Sequence, residues 1–491
     1  MASSDELESV CKRRGFLWQS SEIYGGEAGF YDYGHLGALL KDNWERTWKE
    51  FFLGLDDNYH MIYTPNILPY RVLKASGHVD LFSDVLVHCM RCGNSYRADH
   101  LIEDALGTNV EGMKSTEMEQ IIEEKEITCP SCKGNLSESD DFNMMFSVQI
   151  GPTGEHKGFL RPETAQGTYM NFFREYQALR KKMPMGLATI GSAFRNEISP
   201  RQGVYRLREF VQAELQIFFV PGIHDEHFEI KYCPEDEVNI LLDGEKEART
   251  VRIEELSDLP VFYKYHLAKV YEFYTKLMNI PQEYIRLRQL SDDERAFYNK
   301  IHFDVEIDLE SLGGWKEVAG VHYRGDYDLS KHQNESGNKM TIPIDSERYI
   351  PHVIELSFGV DRNLWSLLDI GYKVEDREWL HLPKNCAPYH IAVFPLVRKD
   401  GLPEKSMEIY QELKTTLNAF WDKSGSVGKR YARMDEIGTP YCITIDYETL
   451  ENDEVTIRDI VTKEQIRYPI KDLKILLEEL INNKRSFSEL L

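Results

Sequence analysis

Two stretches near the middle of the chain carry a two-residue alternation of apolar and polar positions. The first is AlaThrIleGlySerAlaPheArgAsnGluIle (188–198), the second GlyValTyrArgLeuArgGluPheValGlnAlaGluLeuGln (203–216). Side chains alternate across a strand, so Val211, Ala213, Leu215, Ile217 and Phe219 share one face, the expected core side. Phe210, Gln212 and Glu214 share the other. In the first stretch Arg195 and Glu197 point the same way, above the small Gly191 and Ala193. A single strand with this pattern is most simply an exposed sheet face. Two adjacent strands with the same asymmetry, joined by a loop carrying Arg201, Arg206 and Arg208, look instead like the floor of a nucleotide site.

Elsewhere, Leu36, Leu40, Trp44, Trp48 and Phe52 recur every fourth residue and predict a helix over 36–52. An extended run, Tyr59 to Leu68, follows and stops at Pro69. This pair serves core packing or a subunit contact equally well. From Cys89 to Asp141 the composition turns polar and acidic, and residues 117–126 read as a solvated helical face. The segment from about Ile230 to Leu290 reads as mostly helical. HisValIleGluLeuSerPheGlyValAspArgAsnLeuTrpSerLeuLeu (352–368) reads as a strand turning at Gly359 into a helix. Glu355 and Ser357 fall on one strand face, and Arg362 in the first helical turn. An arginine there suits a phosphate, because free N–H groups and the helix dipole add to its charge. The two prolines in 380–388 mark a linker. Beyond it lie a strand at His390–Val397 and an amphipathic helix with Ile409, Leu413, Leu417 and Trp421. Strands at Tyr441–Asp446 and Glu454–Asp459 and a final helix from Ile470 to Ile481 complete a small α/β domain around a mixed sheet.

With 491 residues, two or three domains are expected. The 58 basic and 82 acidic residues leave a net charge of −24, which repels phosphate overall. That excludes a nonspecific DNA binder and allows a selective RNA partner met by local basic patches. No apolar run approaches the roughly 18 residues of a membrane span, and the N-terminus lacks a signal-peptide hydrophobic region. A cytoplasmic protein with no membrane association is expected. Of eight cysteines, Cys89 and Cys92, then Cys129 and Cys132, form two close pairs. Each pair, with a glycine after it, is a zinc-knuckle turn. The 36 residues between the pairs (129 − 92 − 1) must hold a helix of their own. Four thiolates fill a tetrahedral shell, so a structural Zn²⁺ is expected and not a catalytic one.

PheArgAsnGlu (194–197), ArgLeuArgGluPhe (206–210) and GlyValAspArg (359–362) resemble motifs 2 and 3 of the class II aminoacyl-tRNA synthetases, and the helix and strand ending at Pro69 resemble motif 1, the dimer-forming element. The match narrows further. Residues 13–26 (ArgArgGlyPheLeuTrpGlnSerSerGluIleTyrGlyGly), 160–167 (LeuArgProGluThrAlaGlnGly), 325–329 (GlyAspTyrAspLeu) and 428–441 (GlyLysArgTyrAlaArgMetAspGluIleGlyThrProTyr) are similar to the dimeric glycyl-tRNA synthetases. These blocks cover nearly the whole chain.

The resemblance implies an α+β multidomain protein. Its catalytic core would be an antiparallel sheet flanked by helices, over 1–88 and 141–380, with a helical insert at about 230–290. The four-cysteine insert would span 89–140, and an α/β anticodon-binding domain 381–491. It implies activation of glycine with ATP and Mg²⁺, then transfer to tRNA(Gly) by a homodimer. Arg195 would hold the α-phosphate and the amino-acid carboxylate, and Arg362 the γ-phosphate. Phe210 would stack on adenine, with Glu197 reading its amino group. Asn196, Tyr205, Arg206, Leu207, Arg208 and Glu209 belong to the ATP loop; Gly359 also borders ATP, while Glu317 and Val318 contact it through Mg²⁺. The glycine pocket would comprise Arg97, Glu163, Phe210, Gln212, Glu214, Arg324, Glu355, Ser357 and Gly359. Each glutamate alone could be a structural partner of a local arginine; three at three matching positions speak for a site.

Some positions depart from the family. GluLeuSerPheGly (355–359) replaces GluProSerAlaGly, with Leu356 and Phe358 on the face away from the site. Ala319-Gly-Val-His-Tyr-Arg324 replaces Glu-Gly-Ile-Ala-x-Arg, which leaves no acid at 319. The knuckles occur in only some branches of the family. Lys429, Arg430 and Arg433 form a local basic patch that suits phosphate contact or a solvated loop nearly equally. The rival readings are a threonyl- or prolyl-type synthetase, which would need other pocket residues, and a noncatalytic dimeric nucleic-acid-binding relative, which would not need Arg195, Glu197, Glu214 and Arg362.

Overall fold

In the computed structural model, which describes residues 4–107, 110, 113–198, 200, 203–296 and 298–491, nine strands form the central sheet. They are β1 (Tyr59–Met61), β2 (Met185–Phe194), β3 (Glu209–Phe219), β4 (Glu237–Leu241), β5 (Arg249–Arg252), β6 (Ile285–Gln289), β7 (Ile301–Leu309), β8 (Gly314–Gly325) and β9 (His352–Gly359). Their order is β5-β4-β6-β7-β8-β9-β3-β2-β1. Only β1–β2 and β4–β6 are parallel pairs; every other neighbour is antiparallel.

The sheet's two faces differ as the alternation predicts. On the core side, Ala213, Leu215, Ile217 and Phe219 of β3 are fully buried with Leu356 and Phe358 of β9. Helix α1 (His35–Leu53) lays its i, i+4 row of Leu36, Leu40, Trp44, Trp48 and Phe52 against them. Phe358 is the centre of that contact, with Trp44, Trp48, Phe52, Phe273 and Tyr274 all within 6.4 Å between ring centroids. The departure to phenylalanine is thus absorbed by repacking on the core side.

On the opposite face, helix α2 (Ala165–Ala178) covers only one end. It buries Phe218, Leu187 and Val353 with Tyr169 and Phe172. The other end, where Phe210, Gln212, Glu214, Glu355 and Ser357 stand, has no such cover. In register, Glu214 faces Ser357 across β3–β9, Gln212 faces Gly359, and Ala193 faces Phe210 across β2–β3. The helix after β9 runs from Val360 to Gly371 and carries Arg362 in its first turn.

Several segments differ from the sequence expectation. The run from Tyr59 is two strands in two sheets: Tyr59–Met61 joins the central sheet, and Ile67–Pro69 pairs with His156–Leu160. The segment 230–290 is not mostly helical. It supplies β4, β5 and β6 beside one helix at Val261–Glu272. These strands are short, and buried Val238 and Ile240 give too brief an alternation to stand out. Arg195 and Glu197 lie just past the end of β2, in the loop. Arg201 lies outside the described residues.

The cysteine insert roots in a three-stranded sheet of Ser83–His88, Ser95–Arg97 and Asp140–Asn143 and carries two helices, Ala98–Leu106 and Ser115–Glu124. The C-terminal part holds a five-stranded mixed sheet from Ile391–Pro395, Ala419–Trp421, Tyr441–Ile445, Glu454–Asp459 and Gln465–Pro469. Its first helix ends at Leu413, so Leu417 lies in a loop and Trp421 in a strand. The expected basic patch is largely internal. Arg430 is buried and donates to the carbonyls of Pro395 and Leu396, and Arg433 pairs with Asp422. Lys429 alone of the three is exposed.

Truncating Phe358 to alanine leaves a cavity among five aromatic rings, and a loss of about 3–5 kcal/mol is expected. The check is chemical denaturation of Phe358→Ala beside the parent protein.

Candidate active site

The uncovered end of the sheet opens into a cleft of about 870 Å³. Its floor is β3 and β9, its acidic end Glu163, Glu214 and Glu355, and its basic end Arg195, Arg206 and Arg362.

The three acids are 7 %, 2 % and 4 % exposed respectively, and their environments differ. Glu355 accepts from the Arg324 guanidinium at 3.2 Å, from Tyr169 Oη at 3.1 Å and from Gln216 Nε2 at 3.1 Å. Glu163 accepts from Gln166 Nε2 at 2.7 Å and lies 3.5 Å from His78 Nε2. Burial raises a carboxyl pKa, but His78, Arg324 and Gln166 outweigh it and hold Glu163 well below the usual range. Glu214 receives only hydroxyls: Thr164 Oγ1 at 2.5 Å and Ser357 Oγ at 2.8 Å. No cationic side chain pairs with it among the described residues. Burial, then the charges of Glu355 and Glu163, push it up to about 8. The central acid of the pocket thus forms no ion pair among the described residues, and the buried Arg161 guanidinium acts on it only from beyond ion-pair distance.

At the other end, Arg195 donates Nε–H to the Pro162 carbonyl at 3.2 Å. Its guanidinium stands between the rings of Phe82 and Phe210, at 5.4 and 5.3 Å. Arg362 donates to the carbonyls of Tyr205 and Glu317, pairs with the Glu317 carboxylate at 2.9 Å and covers the Tyr205 ring at 4.5 Å. Glu197 Oε2 is buried without a hydrogen-bond partner among the described residues, 3.9 Å from Arg206. An orphaned buried carboxylate oxygen beside an open cleft is a ready acceptor for a ligand N–H.

Of the sequence-predicted residues, Tyr205, Leu207, Phe210, Gln212, Glu317, Ser357 and Gly359 also line the cleft. Others stand behind it. Arg324 is buried and bidentate to Asp328, reaching the pocket only through Glu355. Arg97 belongs to the insert, paired with Asp84 at 3.1 Å and Asp99 at 2.5 Å, and is not among the lining side chains. Asn196 donates its backbone N–H to Met144, and Arg208 binds Glu27 and the Glu197 carbonyl. Glu209 and Val318 are also off the cleft, Val318 with its side chain in the core. Ala319 packs against the same core, in register with Phe358, and also lines the cleft, where its methyl group leaves that stretch of wall uncharged.

Sequence reasoning missed Asp361, Tyr298 and His322, which line the cleft. Asp361 accepts from Val211 N at 2.6 Å and from Tyr33, tying the helix start to β3. It sits inside the quoted GlyValAspArg block, so only its role was hidden. His322 shares the strand face of Gly320, a parity legible in sequence once β8 is known. His78 and Phe82 arrive from an unremarkable segment and carried no signal.

At the insert's tip, the Sγ atoms of Cys89, Cys92, Cys129 and Cys132 lie within 4.8 Å of one another. Cys89–Cys132 and Cys92–Cys129 are 3.4 and 3.7 Å apart. Four sulfurs at ~2.3 Å from one ion would stand roughly 3.8 Å apart, which this set fits. Gly93 turns the first knuckle at φ 74°. In the second, Lys133 takes the left-handed turn and Gly134 makes room, since a Cβ there would fall 2.6 Å from Arg91.

Known proteins place this geometry. The description "tRNA synthetase class II core domain (G, H, P, S and T)" matches residues 146–236, and "Anticodon binding domain" matches 390–480. A solved prolyl-tRNA synthetase from Cryptosporidium parvum, in complex with L-proline and AMP, shares the fold. Its TM-score is 0.59 at 13 % identity, over 98 % of this chain and 76 % of that one. The fold and the arginine-lined cleft thus define a class II aminoacyl-tRNA synthetase. The glycine--tRNA ligase of Thermococcus kodakarensis is 39 % identical over 97 % of this chain and 98 % of its own, and that of Pyrococcus furiosus matches equally well. The enzyme of Methanococcus maripaludis is 36 % identical over 96 % and 99 %. The chain belongs to the glycine--tRNA ligase family.

Glu214 gives a pH signature independent of ligands. Its folded-state pKa is raised to about 8, above that of an unfolded glutamate. Its contribution to stability is therefore full below pH ~4.5 and lost as pH rises through ~8. Glu214→Gln removes that loss, so its melting temperature should gain on the parent as pH rises from 5 to 9. Parallel melts at both pH values check this.

Proposed function

We infer that the enzyme condenses glycine with ATP to glycyl-adenylate and pyrophosphate, then transfers glycine to the 3′ end of tRNA(Gly). One observation carries the assignment of substrate to site: Glu214, a buried acid in no ion pair among the described residues, faces a cleft whose far end presents Arg195 and Arg362. An ammonium supplies the missing charge, and the arginines meet the triphosphate.

In the first step a carboxylate oxygen of glycine forms a bond to the α-phosphorus, and the bond from that phosphorus to the bridging oxygen breaks. The electron pair departs with pyrophosphate. The attacking carboxylate is already ionised, so the chemistry needs no protein base or nucleophile; it needs alignment and positive charge. Arg195, held by Pro162 and two rings, is the group for the α-phosphate and the glycine carboxylate. Arg362 is the group for the γ-phosphate, and Phe210 offers a face to adenine. The orphaned Glu197 oxygen suits the adenine amino group. Mg²⁺ would add positive charge at the phosphates, and Glu317, exposed beside Arg362, is the carboxylate that could hold it. In the second step a tRNA terminal hydroxyl attacks the glycyl carbonyl and AMP leaves.

The four-cysteine cluster suits a structural Zn²⁺, with all four positions taken by sulfur. The homodimer reading draws support from apolar side chains left in the open near the motif-1 elements: Ile23 at 89 %, Tyr24 at 87 % and Tyr63 at 82 % exposure. No helix of the described residues is long and apolar enough to cross a membrane, which accords with a cytoplasmic enzyme.

Glycine-dependent exchange of labelled pyrophosphate into ATP tests the activity, with alanine, serine and threonine in parallel. Exchange with glycine is expected, and exchange with threonine but not glycine overturns the assignment. Arg195→Ala should cut exchange by more than about a hundredfold, the scale of losing one preorganised charge contact, with the melting curve kept. Cys92→Ser should lower zinc content, read by metal analysis, and lower the melting temperature.

A further inference from the structure

One wall of the cleft has no part in the roles above. On β8, Gly320 stands opposite Ser357 and His322 opposite Glu355, all on the face of the three acids. A Cβ at residue 320 would fall 2.4 Å from His322 Nε2. The imidazole therefore lies over Gly320 and fills the strip of floor beside Ser357 and Glu355.

Its orientation is fixed from behind. Asn299, itself buried, places Nδ2 3.1 Å from Nδ1 of His322 and 3.5 Å from Nδ1 of His302. The two rings sit 4.1 Å apart between centroids. An amide has two hydrogens, one for each ring nitrogen, so both imidazoles carry their proton on Nε2. Nε2 of His302 then meets Asp304 at 3.0 Å, while Nε2 of His322 faces Glu355 Oε1 across 3.9 Å. Burial, with the charge of Arg324 beside it, disfavours protonation of His322, so it does not repel an ammonium.

We propose that His322, locked by Asn299, is the specificity wall of the amino-acid pocket: its ring occupies the space that a methyl group on the substrate's α-carbon would need. This rests on the glycine reading of the same site. The carboxylates cannot discriminate, because every α-amino acid presents the same ammonium. Only excluded volume separates glycine from alanine, and a single added methylene is typically worth about 10–200-fold.

The test is pyrophosphate exchange by the full-length enzyme with glycine and with L-alanine, for the parent, His322→Ala and Asn299→Ala. The reading is the ratio of kcat/KM for glycine over alanine, so losses common to both cancel. His322→Ala should lower that ratio by about tenfold or more, chiefly through a lower KM for alanine. Asn299→Ala, which frees the ring without removing it, should lower it less. An unchanged ratio in His322→Ala with a parental circular dichroism spectrum overturns the proposal. Should that variant not fold, His322→Asn shortens the side chain while keeping an N–H donor, and an unchanged ratio there overturns it equally. A parent enzyme without glycine exchange overturns the glycine reading itself, a separate result.

Discussion

Three carboxylates share a buried floor on which, among the described residues, Arg324 is the one guanidinium in ion-pair contact, and that imbalance organises the rest of the site. Arg324 is committed to Glu355 and Asp328, while Glu163 leans on Gln166 and His78. Glu214 is left between them with two hydroxyls. Uncompensated buried charge is costly, so a group in this position gives up its ionisation until a cation arrives. The sheet cannot relax the arrangement. Glu214 and Glu355 project from central strands whose other face is closed by Leu215, Leu356, Phe358 and the tryptophans of α1. Packing on one side of the sheet thus enforces an electrostatic deficit on the other.

The same strands separate the two kinds of charge. Along β3, Glu214, Gln212 and Phe210 succeed one another on one face, running from the acidic pocket to the ring beneath Arg195. The arginine end is fixed by carbonyls and aromatic rings more than by acids, so its positive charge stays available to a phosphate. The segment just before the cysteine insert touches both ends: His78 pairs with Glu163, and Phe82 backs Arg195.

Much of this was legible in the chain. Strict alternation fixed which residues of β3 and β9 face the cleft, whereas Arg195 and Glu197 reach it from the loop past β2, and the four-residue apolar row fixed α1. Where the alternation is short or shielded, as in β4 to β6, periodicity has too few residues to register. Pairing is a different kind of information. Sequence puts Arg97, Arg324 and Arg430 at matching motif positions or in a basic run, but which acids or carbonyls each answers, some near in the chain and some far, is settled only by the fold. Arg97 answers Asp84 and Asp99, Arg324 answers Asp328 and Glu355, and Arg430 answers two backbone carbonyls. The departures from the family divide in the same way. Phe358 falls on the core face and concerns packing, Ala319 borders both core and cleft, and His322 falls on the cleft face, where the proposal above gives it a part in selectivity.

Attraction and exclusion therefore come from different layers of one sheet surface. In the proposed binding mode the acids draw an ammonium without regard to what else the ligand carries. The ring over Gly320 and the hydroxyl of Ser357 leave little volume beside that ammonium. Gly320 is part of this device, because any side chain there would displace the imidazole. A pocket that selects the smallest amino acid faces no smaller competitor, so steric refusal at the first step suffices and no second site is needed to discard errors. On the proposed reading, selectivity in this chain draws on how firmly one neutral ring is held, and Asn299 with the adjacent His302 ring holds it from the side away from the cleft.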